Sequence, residues 1–420
     1  MVGLDGTFWP MNGLTCWAGL DDWQVVCQFL PPGWEEAART QGALRRTRGI
    51  PNANTLLRVL LVHLVDGCSL QETAARAEQA EWCSLSAVAV FKRLRASEPW
   101  LRWMAERLWR TCPTPAMPTT LRVRVVDATT VQEYGNTGTD WRVHFAIDLF
   151  TLQCDHFELT DAHGGETFRR IPVRPGDVLL GDRGYSTPPG VASVLGRRGH
   201  VIVRVHPNAL PLQDRSGRRL AFRPRLRHLR VGEIGDWFAQ VTGPTGVLDG
   251  RLIAVKLGRV AARLARQRQR HKAAKKQKTV SRTSRFLAGY VLLWTDLPAN
   301  VSSAGTLLEI YRLRWQIELT FKRMKSILGL GQLPKTSDGS ARAWLQGKLL
   351  VAMLMDRLLE AADRFSPWGY RLATATEPMA GSAALVSRTD HRHQPAVRAG
   401  RRVGTLGHDH QTTRGHTPEA

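Results

Sequence analysis

Residues Tyr311–Lys325 read YRLRWQIELTFKRMK, and their spacing predicts a helix with two distinct surfaces. At 100° per residue, Tyr311, Arg314, Glu318 and Lys325 fall within an arc of about 60°. Ile310, Leu313, Ile317, Phe321, Met324 and Leu328 fall in the adjoining arc, an apolar stripe for packing. One carboxylate thus stands among Arg314, Lys322 and Lys325, beside a phenol. A metal-binding acid inside a phosphate-binding surface has this composition. So does a solvated face with an incidental Glu318–Lys322 pair at i,i+4, and this helix alone does not separate the two.

The rest of the chain decides. Its 420 residues, 43% of them hydrophobic, suffice for two or three domains with a sizeable core. A formal charge of +23 points to a polyanionic partner, because neutralising phosphates releases counterions. Arginine dominates, with Lys92 the only lysine before Lys256, so charge by itself is a modest argument for nucleic acid. Cys16, Cys27, Cys68, Cys83, Cys112 and Cys154 form no CxxC pair and match no zinc spacing, which fits thiols in a reducing compartment. The most apolar runs, Leu56–Val65 and Leu349–Met355, are too short to span a bilayer, so a cytoplasmic protein without membrane contact is expected.

Helical periodicity marks Ala53–Asp66, Ser69–Gln79, Ser84–Ala96 and Trp100–Trp109, with Ser69 and Ser84 as N-caps and Glu72 at a capping-box position. The second and third helices suit a helix-turn-helix whose last element carries Lys92, Arg93 and Arg95; a purely structural helix pair fits as well. Arg45, Arg46 and Arg48 in GALRRTRGIP are further phosphate contacts or a charged loop.

From Leu121 the period changes to that of strands. LRVRVVDATTV is expected to end a strand at Asp127. Trp141–Phe150 and Cys154–Asp161 follow, then a short helix near Glu166–Arg170. GDVLLGDRGY carries a buried strand to Asp182, after which come a helix opened by proline and the strand Val201–Pro207. Strands succeeded by alternating helix and strand make a mixed α/β sheet. If the strands before Asp127 and Asp182 are parallel neighbours, about 4.8 Å apart, their carboxylates can share metal ions; each acid alone is as readily a turn former.

Residues 208–300 read as strands, among them Trp237–Val241 and Leu252–Lys256, around a basic helix. Between Arg251 and Gly289 there are thirteen Lys or Arg and no Asp or Glu, favouring a DNA-backbone contact, with Lys275 and Lys276 at its centre. Tyr290–Pro298 returns as a strand, Ser302 or Ser303 caps the opening helix, and Ala341–Ala362 is a last apolar helix. Beyond Phe365 periodicity is lost and disorder is expected. Its five histidines lack a folded setting for metal binding.

These residues resemble an insertion-sequence DDE transposase of the large insertion-sequence-four family, marked by Tyr-x2-Arg-x3-Glu-x6-Lys. Tyr311, Arg314, Glu318 and Lys325 match at every spacing. VVDATTV around Asp127, GDVLLGDRGY around Asp182 and the N-terminal segments extend the resemblance over about residues 30–360.

The resemblance implies a ribonuclease-H-like α/β core, interrupted by a mostly β insertion and preceded by an all-α domain. The divisions expected are 1–117, helical and DNA-binding; 118–207, first part of the core; 208–300, insertion; 301–365, second part; and 366–420, basic tail. It further implies that Asp127, Asp182 and Glu318 are a catalytic triad holding two Mg²⁺ ions, with Mn²⁺ able to substitute. Tyr311, Arg314, Lys322, Lys325 and Arg183 would grip DNA phosphates, and Trp315 would stack on an unpaired base or serve as a groove tryptophan. The partners implied are double-stranded DNA, as terminal inverted repeats and target, and a second protomer in a homodimer. Relatives often cut the second strand through a hairpin. The leading reading is an active transposase, favoured by the three acids. A DNA-binding descendant without activity, favoured by the odd tail, is the alternative, and a nuclease without strand transfer ranks third.

Overall fold

The computed structural model describes residues 22–110, 121–135, 138–275, 277–334 and 337–364. The described residues up to Ala362 form one compact unit. The tail read as disordered, Lys276, Cys16 and Cys112 lie outside the described residues.

Before Arg122 every described element is helical: α1 (Asp22–Gln28), α2 (Trp34–Thr40), α3 (Ala53–Val65), α4 (Leu70–Gln79), α5 (Ala87–Ala96) and α6 (Glu98–Arg110). Short polar side chains start them as expected, since an N-cap oxygen satisfies an otherwise unpaired amide. Asn52 accepts from Thr55 N at 2.8 Å and Ser69 from Glu72 N at 3.1 Å. Two details differ from expectation. Ser86, not Ser84, caps α5, while Ser84 donates to Glu78. The Glu72 carboxylate turns to Arg76 rather than back to its cap, leaving the capping box half made. Arg93 is drawn into a structural role, donating to the Arg46 and Arg48 carbonyls at 2.9 and 3.1 Å. That leaves Arg45, Arg46, Arg48, Lys92 and Arg95 exposed.

The centre is a nine-stranded mixed sheet ordered β3-β2-β1-β4-β5-β11-β10-β7, with β12 paired to the far end of β1. Its first five strands are β1 (Arg122–Glu133), β2 (Trp141–Asp148), β3 (Cys154–Asp161), β4 (Asp177–Gly181) and β5 (His200–Arg204). β1, β2 and β3 are antiparallel, and β1, β4 and β5 are parallel. A 3₁₀ turn (Phe168–Arg170) precedes β4, where a short helix was expected, and α7 (Pro188–Leu195) joins β4 to β5. Alternate residues enter separate cores, as the two-residue strand period requires. Val125, Phe145 and Leu180 pack with the N-terminal helices, whereas Val126, Ala146 and Leu179 pack with α7.

The strands of 208–300 divide between two sheets. β7 (Ile234–Phe238), β10 (Arg251–Lys256) and β11 (Tyr290–Thr295) extend the main sheet beyond β5. β6 (Leu212–Gln213), β8 (Gln240–Gly243) and β9 (Gly246–Leu248) form a separate three-stranded sheet. The strand expected at Trp237–Val241 is therefore two strands, divided at Ala239, whose amide bonds Gly250 O. The short α8 (Phe222–Leu226) precedes β7, and α9 (Arg259–Lys275) and α10 (Arg282–Leu287) lie between β10 and β11.

The chain then runs through α11 (Ala304–Arg312), α12 (Trp315–Ile327), β12 (Gln332–Leu333) and α13 (Asp338–Arg364). α13 shares its core with the N-terminal helices. Gly347 seats so tightly on Leu64 of α3 that a Cβ there would lie 2.4 Å from Leu64 Cδ1. Among the described residues no helix is long and apolar enough to cross a membrane.

At the N-terminal end of β1 a buried ion network ties four strands. Arg124 donates to Asp155 at 2.6 and 2.8 Å and to Asp177 at 2.9 Å, and Arg122 joins Asp148 at 3.3 Å and also Asp155. Charged groups this deep are tolerated because each finds an opposite partner.

Candidate active site

Asp127 and Asp182 come together through strand register. β1 and β4 pair in parallel from Arg122↔Asp177 to Val125↔Leu180. Two residues further on, each chain places its aspartate, so the acids emerge side by side. Asp127 does not end its strand, as expected from sequence. β4 stops at Gly181, whereas β1 continues beside β2 to Val131 and then pairs with β12 at Gln132 and Glu133. Asp127 Oδ1 accepts from Ala128 N at 2.8 Å, and Asp182 Oδ1 from Gly184 N at 2.6 Å. Burial pushes the Asp127 carboxyl up to about 7; the Ala128 amide opposes this, Asp182 and Glu166 add to it, and Arg314 opposes it.

The expected continuous helix over Tyr311–Lys325 is two helices. At Leu313 and Arg314 the backbone stays right-handed but tightens to i→i−3 bonds, including Arg314 N to Tyr311 O at 3.2 Å and Ile317 N to Arg314 O at 3.3 Å. A 3₁₀ turn advances about 120° per residue, which rotates Leu313 out of the apolar stripe to 40% exposure. Ile317, Phe321 and Met324 remain buried, with Phe321 tilted against Phe145 of β2 at 5.8 Å. That packing lays the first turn of α12 beside β1.

Arg314, at the break, is the link between the acids. Its Nη1 donates to Asp127 Oδ2 at 3.4 Å and its Nη2 to Glu318 Oε1. Glu318 pairs backward with Arg314 rather than forward with Lys322, and its side chain is 57% exposed, against 16% for Asp127. The Tyr311 ring lies 5.9 Å from the Arg314 guanidinium, and burial raises its phenol pKa.

Asp182, Tyr311, Arg314 and Glu318 line a cleft of about 760 Å³ together with Arg183 and Arg204. Across it stands α9, contributing Arg268, His271, Lys272 and Lys275. Only Ala262 of this helix is buried, so its cations stay in solvent. Acids on the floor and cations on the wall suit a phosphodiester whose reacting centre meets metal while its flanking phosphates meet arginine and lysine.

Of the residues singled out in the sequence, Asp127, Asp182, Glu318, Tyr311, Arg314, Arg183 and Lys275 converge on this region. Lys322 and Lys325 are exposed, Trp315 is 48% exposed, and none of the three lines the cleft. Arg204 was missed, although a charged residue closing the apolar run VIVR is a signal of its own. Glu166, whose charge reaches both Asp127 and Asp182, was also missed, as was the buried Tyr185 beside them. Carboxylates are the hard oxygen donors that Mg²⁺ and Mn²⁺ prefer, and their mutual repulsion is what a divalent cation relieves. Among the described residues no three acidic, histidine or cysteine side chains are already closed to metal-binding distance.

Residues 118–354 match the family model of the Transposase DDE domain. The putative transposase InsL of insertion sequence element IS186A from Escherichia coli is 34% identical over 356 residues, 83% of this chain and 96% of the relative. The transposase for insertion sequence element IS421 from Escherichia coli is 34% identical over 357 residues, with the same coverage. The transposase for insertion sequence element IS231B from Bacillus thuringiensis is 22% identical over 372 residues, 79% of this chain and 78% of the relative. On this similarity the chain belongs to the DDE transposases of bacterial insertion sequences.

Proposed function

We propose that this transposase cuts the ends of its mobile element and joins them to target DNA at a centre built from Asp127, Asp182 and Glu318. The observation that carries this reading is the Arg314 guanidinium spanning Asp127 and Glu318, two acids far apart in the chain, beside Asp182. Strand order β3-β2-β1-β4-β5, three antiparallel strands followed by two parallel ones, supports a ribonuclease-H-like core.

The three carboxylates would hold two Mg²⁺, for which Mn²⁺ can substitute. Bound there, the ions would supply an activated water or 3′-hydroxyl and a stabilised leaving oxygen. The protein's own residues do the rest. Arg314 and Tyr311 orient the phosphate at the cut end, a role for which the planar guanidinium fork is suited. Arg183, Arg204 and the cations of α9 hold flanking phosphates, and Lys322, Lys325 and Trp315 meet the DNA farther along α12.

Residues 1–117 act as a DNA-contacting helical part, 118–207 and 301–365 as the two parts of the core, and 208–300 as the β-rich basic insertion that carries α9. Two protomers pair the two element ends in the cytoplasm, beside the nucleoid.

Cleavage of end-containing DNA with Mg²⁺ tests the reading. Glu318→Gln is expected to abolish cutting and to leave end binding within a small factor. Cutting at the parental rate would remove Glu318 from the centre.

A further inference from the structure

We propose that Glu166 is a further acidic ligand of the divalent ion held by Asp127 and Asp182, an inference that rests on the metal-dependent centre proposed above.

Glu166 is brought to the centre by a loop pinned on both sides. Arg142 Nη1 donates to Gly164 O at 2.7 Å, and Arg170 Nε to Gly165 O at 3.1 Å. Arg170 is itself held on Glu158 at 2.6 Å. Immediately after Glu166, the Thr167 hydroxyl caps the 3₁₀ turn, and Phe168 is buried against Tyr185 at 5.1 Å. The carboxylate therefore has little freedom to leave. It lies over Gly184, whose amide binds Asp182. A Cβ on Gly184 would stand 2.0 Å from Glu166 Oε2 and 3.1 Å from Asp182 Oδ1, so a single atom position touches both acids. Any side chain at 184 would displace Glu166.

Tyr185 is an independent pointer. It is wholly buried and its hydroxyl has no hydrogen-bond partner among the described residues. The charges of Asp127, Glu166 and Asp182 all bear on that phenol. A buried O–H left unpaired costs about 1–3 kcal/mol. A carboxylate or metal-bound water among these three acids would accept from it. Asp127, Asp182 and Glu166 thus all neighbour one buried phenol, whereas the Glu318 carboxylate is engaged by Arg314 and more than half exposed.

Mn²⁺ binding to the full-length chain, followed by electron paramagnetic resonance, tests the assignment. Glu166→Gln is expected to weaken binding about tenfold or more, as is Asp182→Asn, with unchanged melting temperatures. Parental Mn²⁺ binding by Asp182→Asn would overturn the metal-centre reading itself. Loss with Asp182→Asn but parental binding by a folded Glu166→Gln would overturn the role of Glu166 alone. Should Glu166→Gln fail to fold, the Glu318→Gln chain labelled with carbon-13 at its glutamate carboxyls leaves Glu166 intact. Spin-echo modulation between Mn²⁺ and a labelled carboxyl is then expected, and its absence overturns the inference.

Discussion

Arg314 and Asp127 stand 187 residues apart in the chain, yet Nη1 of one lies 3.4 Å from Oδ2 of the other. The same guanidinium holds Glu318, so one side chain sets the separation of two acids on different elements. Arg314→Lys keeps the charge but loses the fork. Cleavage of element-end DNA is expected to fall roughly 100-fold or more, the scale of losing one preorganised donor. Single-turnover cleavage rates of the parent and variant check this.

Arg268, His271, Lys272 and Lys275 of α9 line the cleft with no acid on their own helix. Charge reversal at Lys272 and Lys275 should weaken DNA binding mainly at low salt. It should also flatten the dependence of log K on log salt by about one unit for each phosphate that is no longer neutralised. Binding isotherms at several salt concentrations give that slope; an unchanged slope would return α9 to plain solvent.

Asp155 accepts from Arg124 and Arg122 in the buried network beneath β1. Asp155→Asn would leave two guanidinium groups short of a charge, at a cost of about 3 kcal/mol. A lowered urea midpoint with unchanged slope is the expected result, and it should precede any direct effect on the distant acids.

Lys348 is buried in α13, 5.0 Å from the Trp344 ring, and burial pushes its amine down to about 8. Below that pH the amine is protonated in both folded and unfolded chains, so the native state carries the full penalty. The penalty fades as pH rises from about 8 toward the unfolded value near 10.4. Lys348→Met should therefore stabilise the protein at pH 7, by on the order of 3 kcal/mol at most, with the gain vanishing near pH 10.5. Urea midpoints at the two pH values provide the check.

Gly347 is the seat of Leu64, itself wholly buried and unable to swing aside. Gly347→Ala is expected to lose about 1–3 kcal/mol through overpacking, measurable as a drop in melting temperature.

Much of the core was readable from sequence because its signals are local. Val-rich runs ending near Asp127 and Asp182 announce strands, and the spacing of Tyr311, Arg314 and Glu318 survives the 3₁₀ break, since the chain stays right-handed there. What was not readable is non-local. Alternation in Ile234–Gly243 marks strands but does not say which of two sheets each half joins. Nor does a lone acid opening a short expected helix, Glu166–Arg170, carry any period that marks it as part of a site. Its importance lies in which residues the fold sets beside it, and Gly184 is the tightest of them.

The placement of α9 has an evolutionary consequence. β10 and β11 are antiparallel neighbours paired up to Lys256↔Tyr290, and Leu257 N still bonds Gly289 O at 2.9 Å. Everything between those residues is looped out from a sheet that closes beneath it. Such a junction is where domain insertion is tolerated. The gripping arm can be lengthened, shortened or exchanged for one suited to different element termini, and the chemistry below inherits unaltered geometry.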